Sequence, residues 1–195
     1  MLNCRSRKPA VISNPVILIP ARLRATRLPA KPLLIIAGLP MIVHVWRRAI
    51  AAAIGPVFVA TESRDIVDAV EAAGGHALMT RPDHASGSDR IFEAVGAIDP
   101  QGKFVTVINL QGDLPSIEPR LIQACADALA HGADIGTLAA EISEPSEVID
   151  PNVVKAIGSL RPDGLLNALY FTRAAAPFGS GPFYHHIGIY AYKRH

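Results

Sequence analysis

Acidic residues are missing from the first third of this chain. No Asp or Glu precedes Glu62, although the whole sequence carries 17 of them against 19 Lys and Arg. The formal net charge of +2 hides an amino-terminal positive pole. Cysteine is scarce too, and its 2 residues, Cys4 and Cys125, lie far apart and in no CxxC pair. That excludes a thiolate metal cluster and a disulfide framework, and leaves Cys125, on an apolar helical pattern, as a buried thiol. No apolar run nears the roughly eighteen residues of a membrane span. Met1 to Pro15 lacks the apolar core of a secretory signal and reads as a polar extension, 1–15, of a cytoplasmic protein. The basic stretch has no interleaved aromatics and no groove-reading motif accompanies it, which speaks against nucleic acid. With neither GxxxxGK[ST] nor a GxGxxG after the first strand, a Walker-type phosphate loop is excluded and a dehydrogenase disfavoured.

What is present is enough apolar content, 50% of the residues, for one folded α/β domain over 16–195. Val16 to Ile19 is a short apolar run that stops at Pro20, as expected of a strand covered on both faces. Behind it comes a loop with Arg22, Arg24, Arg27 and Lys31 and no acid to neutralise them. A solvated surface loop has the same composition, but past the carboxyl end of a buried strand it is placed to hold an anion. Arginine forks and a lysine point charge together suit several phosphates of one polyphosphate.

Strand and helix patterns then alternate. Pro40 opens a helix reaching about Ile54. Val57 to Thr61 is a strand, Ile66 to Ala73 a helix, His76 to Thr80 a strand, and Ser88 caps the helix that follows. Phe104 to Leu110 is the strongest strand and Pro119 to Ala130 the next helix. Units of this kind imply a doubly wound, mostly parallel nucleotide-binding sheet. Past Asp134 the pattern is strand-rich, at Ile135 to Ile142, Val153 to Ile157, Ala168 to Thr172 and His186 to Tyr192.

Asn109-Leu110-Gln111-Gly112-Asp113 ends the strongest strand. A lone Asp there is commonly a turn residue. Paired with a cationic loop, Asp113 becomes a ligand for Mg²⁺ against bound phosphates, which points to phosphoryl or nucleotidyl transfer.

Ile19-Pro20-Ala21-Arg22, Arg27 to Leu33, Met79 to Gly87 and Asn109 to Pro115 resemble the 3-deoxy-manno-octulosonate (Kdo) cytidylyltransferase family. So do Pro151 to Lys155, Ala168 to Arg173 and His186 to Tyr192, and the likeness runs from about Val16 to the last residue. The resemblance implies a nucleotide-diphospho-sugar transferase-like fold and a cytoplasmic, Mg²⁺-dependent enzyme. Such an enzyme joins CTP and Kdo into CMP-Kdo for lipopolysaccharide assembly and releases pyrophosphate. By the same resemblance Ala21, Arg22, Lys31, Arg81, Ser86, Gly87 and Gln111 bind the nucleotide, with Arg22, Lys31 and Asp113 catalytic and Asp113 on the metal. For the sugar acid, Arg90, Arg173, His186 and Tyr190 are the candidates, an ordinary ion pair being the competing role for Arg90 and a hydrogen-bonded strand histidine for His186.

The chain also departs from the family. Leu114 stands where a Glu commonly follows the metal-binding Asp, and Ala25 and Ala30 replace a common Ser and Gly. Family members continue past residue 195 through a segment that contributes to the dimer, the sugar site and a second metal-binding Asp. A homodimer is expected if that segment is dispensable. Two alternatives stay open: a related sugar nucleotidyltransferase with another acceptor, and a nucleotide-binding remnant without turnover.

Overall fold

The computed structural model describes residues 13–23 and 28–194. Cys4, Arg24, Ala25 and Arg27, named above, lie outside them. Strand β1 (Pro15–Ala21) leads through the two-residue strands β2 (Ile35–Ile36) and β3 (Leu39–Pro40) into helix α1 (Met41–Ala51). There follow β4 (Val57–Thr61), α2 (Arg64–Ala72), β5 (His76–Met79), α3 (Gly87–Ile98), β6 (Thr106–Leu110) and α4 (Pro119–Asp127). Then come β7 (Ile135–Glu141), α5 (Pro145–Ile149), β8 (Lys155–Leu160), β9 (Leu166–Thr172) and β10 (Tyr184–Lys193). Contacts divide the stretch read as one domain into two compact units, one reaching Gly136 and taken up again from Ile189, the other Thr137–Gly188.

In the first unit the strand order is β5-β4-β1-β6, all parallel, with the carboxyl half of β10 antiparallel to β6. β1 is buried along its whole length, as its apolar run requires when helices cover both faces. On one face Val16, Leu18, Ala60 and Val107 pack against Ile91, Ala94 and Val95 of α3. α1 contacts α2 and α4, and its Ile42, Val43 and Val45 are buried with Ile66 and Val70 of α2 and Ile122 of α4. The expectation of a doubly wound, mostly parallel sheet holds.

Several boundaries shift for local reasons. β1 runs through Pro20 to Ala21, Pro20 standing opposite Ala60; its two prolines, Pro15 and Pro20, sit at the first and next-to-last positions, so the missing donors fall near the strand's ends. α1 ends at Ala51 rather than Ile54, with Ala53 at φ 53° beyond it. The cap of α3 is Ser86, not Ser88: the Ser86 side chain accepts from Asp89 N at 3.1 Å, and Asp89 reaches back to Ser86 N at 3.0 Å. This reciprocal box satisfies two otherwise orphaned donors. α4 gives way after Asp127 to a 3-10 turn, Ala128–His131.

The second unit is built on the β8–β9 hairpin, with a bulge between Ile157 and Gly158. Lys155 is fully buried there and donates to the carbonyls of Asp150, Val153 and Arg173 at 2.8, 2.7 and 3.1 Å. The short helix α5 has no counterpart in the sequence reading.

Candidate active site

β4 and β6 flank β1, so the chain leaves β1 in one direction and returns for β6 on the other side. Such a switch point opens a crevice at the carboxyl ends of the strands. Ala21 closes β1, buried, and Arg22 begins the loop, exposed. After β6, a Cβ on Gly112 would stand 2.9 Å from the Pro20 carbonyl oxygen, which requires glycine for this close approach. A Cβ on Gly87, at the start of α3, would lie 3.2 Å from Pro20 Cγ and 3.9 Å from Gln111 Nε2. Pro20, Gly87, Gln111 and Gly112 thus converge. Asn109, wholly buried, accepts from Gln111 Nε2 at 3.2 Å and orients it.

At the mouth of this crevice Lys31 Nζ donates to Asp113 Oδ2 at 2.9 Å. Ala30 N donates to the Leu23 carbonyl at 3.1 Å and so closes the base of the basic loop.

The Arg81 to Gly87 loop is held by Glu93 of α3. The Glu93 carboxylate accepts from Arg81 N at 3.2 and 3.3 Å and from His84 Nε2, and Arg81 Nε lies 3.6 Å away. The His84 hydrogen bond, above the other favourable contacts, holds the Glu93 carboxyl below its ordinary range. Arg81 itself is exposed, also 3.7 Å from Asp83, and Ser86 is occupied as the helix cap.

The sugar-acid candidates divide between the units, Arg90 and Tyr190 in the first, Arg173 and His186 in the second. Arg90 is paired in the interior rather than on the helix surface: only 4% exposed, its guanidinium is committed to Glu62, Thr80 and the Arg81 carbonyl. Arg173 is exposed and donates to the Pro151 carbonyl at 2.7 Å. His186 meets Thr137 Oγ1 at 3.0 Å and the Phe171 ring, and burial, with His185 beside it, lowers its pKa. It is therefore neutral near pH 7 and serves hydrogen bonding rather than charge pairing. Burial, followed by the neighbouring Tyr192, raises the Tyr190 phenol.

Glu62 escaped the sequence reading. Its only signal was being the first acid of the chain, directly after a strand.

A metal at Asp113 can be tested against this geometry. The carboxylate is half exposed and already accommodates a cationic Nζ on Oδ2. No group of three or more potential ligands gathers among the described residues. One carboxylate fits a Mg²⁺ ion that takes its other oxygens from phosphates and water, and does not fit an all-protein cage.

A doubly wound sheet with a lysine facing a carboxylate at its switch point is the arrangement of nucleotidyltransferase-like α/β proteins. A family described as cytidylyltransferase matches residues 16–195. The 3-deoxy-manno-octulosonate cytidylyltransferase of Rhodopseudomonas palustris is 63% identical over 180 residues, covering 92% of this chain and 74% of the relative. That of Methylobacterium nodulans is 60% identical over 184 residues, covering 94% and 74%. A solved CMP:2-keto-3-deoxy-manno-octonic acid synthetase, complexed with CTP, superimposes with a TM-score of 0.83 at 39% identity, over 93% of this chain and 74% of that one. The chain belongs to the 3-deoxy-manno-octulosonate cytidylyltransferase family.

Proposed function

We propose that the protein transfers CMP from CTP to Kdo, giving CMP-Kdo and pyrophosphate for lipopolysaccharide assembly. The observation that carries this reading is the Lys31–Asp113 pair at the switch-point crevice, in a chain whose relatives bear the name of that reaction. The anomeric hydroxyl of the sugar attacks the α-phosphorus, the bond to the bridging oxygen breaks, and that oxygen leaves with pyrophosphate while the hydroxyl proton passes to solvent. Arg22 and Lys31 bind the outer phosphates and offset charge developing on the leaving group. Ala21, Gln111, Gly87 and the rest of the Arg81 to Gly87 loop, Ser86 included, hold the nucleoside end. Positioning of this kind supplies most of the rate in phosphoryl-type transfer.

Asp113 would hold Mg²⁺, which when bound supplies charge neutralisation on the phosphate oxygens. By the family resemblance Arg173, His186 and Tyr190 are proposed as sugar-acid contacts. Cytoplasmic location and a homodimeric state belong to the same proposal and rest on the resemblance alone. The test is a product profile. CTP with Kdo should yield CMP-Kdo in preference to any product from UTP or from another sugar acid, and a different preferred acceptor contradicts the reading.

A further inference from the structure

Beside the residues assigned to the nucleotide stands a buried ion pair between β4 and α3. Glu62 stands just past β4, 16% exposed in its side chain, and Arg90 on α3 is 4% exposed. Arg90 Nη2 lies 2.8 Å from Glu62 Oε2, and Glu62 Oε1 accepts from Leu23 N at 2.9 Å. On its other side Arg90 Nη1 donates to Thr80 Oγ1 at 2.5 Å and, longer, to the Arg81 carbonyl at 3.4 Å. Leu23 is the residue after Arg22, and its carbonyl accepts from Ala30 N at 3.1 Å, next to Lys31. One buried ion pair therefore joins the base of the phosphate-side loop to the start of the nucleoside-side loop.

A charge pair this well covered needs good geometry to offset its desolvation, and burying it for packing alone gains little over apolar residues of the same volume. Its place at the point where the two loops originate supplies another reason. We infer that Glu62 and Arg90 are positioning residues, which fix the Arg22–Leu23 backbone and the Thr80–Arg81 backbone in one register so that both ends of a nucleoside triphosphate are met together. The inference rests on the nucleotide reading of the site.

Glu62→Gln keeps an oxygen for Leu23 N and removes the charge facing Arg90. Arg90→Lys keeps the charge and loses the planar fork, whose two separate nitrogens, Nη2 and Nη1, reach Glu62 on one side and Thr80 with the Arg81 carbonyl on the other. CTP and CMP binding are measured by calorimetry for the wild type, both variants and the double variant, with thermal unfolding alongside. The expected result is CTP affinity lowered about tenfold in each single variant, CMP affinity within about threefold of wild type, and a double variant no worse than the weaker single, as coupled partners require. Unchanged CTP affinity in both variants, or equal loss of CTP and CMP, overturns the inference by leaving the pair a purely structural role. A wild type that binds no CTP overturns the nucleotide reading itself, and the inference with it.

Discussion

Lys31 Nζ and Asp113 Oδ2, 82 residues apart in sequence, lie 2.9 Å apart beyond the ends of β1 and β6. The side chains are 38% and 53% exposed, so the pair adds only about 0.2 to 1 kcal/mol to stability. Its significance is placement: a cation and a carboxylate face each other where a triphosphate and its metal would enter.

Asp113→Ala should therefore spare the fold and damage the chemistry. We expect a thermal midpoint close to wild type and Mg²⁺-dependent turnover lower by more than about 100-fold, since loss of a group that only supports a metal ligand already costs about 10- to 100-fold. Turnover measured across a Mg²⁺ titration checks this, and wild-type rates at every concentration would remove Asp113 from the site.

Lys31→Ala should separate the nucleotides by their outer phosphates. CTP binding should weaken about tenfold, the effect of roughly one lost charge-assisted contact, while CMP binding changes much less. Titration of both nucleotides decides, and equal weakening would place Lys31 away from the β- and γ-phosphates.

Ala30 occupies the left-handed region, at φ 53° and ψ 24°, where a Cβ is unfavourable by about 1 to 2 kcal/mol. Ala30→Gly relieves this but widens the unfolded ensemble, which returns about 0.4 to 1 kcal/mol. A net gain between about 0 and 1.6 kcal/mol in denaturant unfolding is expected. A loss of stability would show that the backbone at position 30 is not held as described.

Glu93 gives a pH signature. Its folded-state pKa is lowered from the ordinary 4.5, first by the His84 hydrogen bond. The stability it contributes is fully present above the unfolded value and is lost as pH falls through the lower folded value. The thermal midpoint of wild type should thus exceed that of Glu93→Gln near neutral pH, and the gap should close below about pH 4.5. A gap that stays constant into acid would assign the difference to something other than ionisation.

The order of strands and helices was legible because β1 carries the apolar run Val16 to Ile19, β6 is apolar but for Thr106 and Asn109, and helical patterns between turn residues separate the strands. Lys31 and Asp113 drew notice in the sequence as a cation and a carboxylate past two strand patterns, and the structure brings the two side chains together. Other features depend on contacts that no local pattern encodes. Ser86 and Ser88 are both plausible caps, and only the reciprocal bond from Asp89 selects the first. Arg90 looks like a helix-surface residue until Glu62, from a different loop, meets it in the interior. The buried Lys155 likewise finds its acceptors in backbone carbonyls, which side-chain identities do not announce. For Cys125 the apolar pattern sufficed: it is buried, and burial pushes its thiol up to about 12.

Nucleotidyl transfer at the Lys31–Asp113 crevice is tested most directly by pyrophosphate release from this 195-residue chain. The protein is incubated with CTP and Mg²⁺, with and without Kdo. Release that requires Kdo and is abolished by chelating the metal is the predicted result. CTP binding with no Kdo-dependent pyrophosphate would contradict transfer by this chain and leave it a nucleotide-binding protein without turnover.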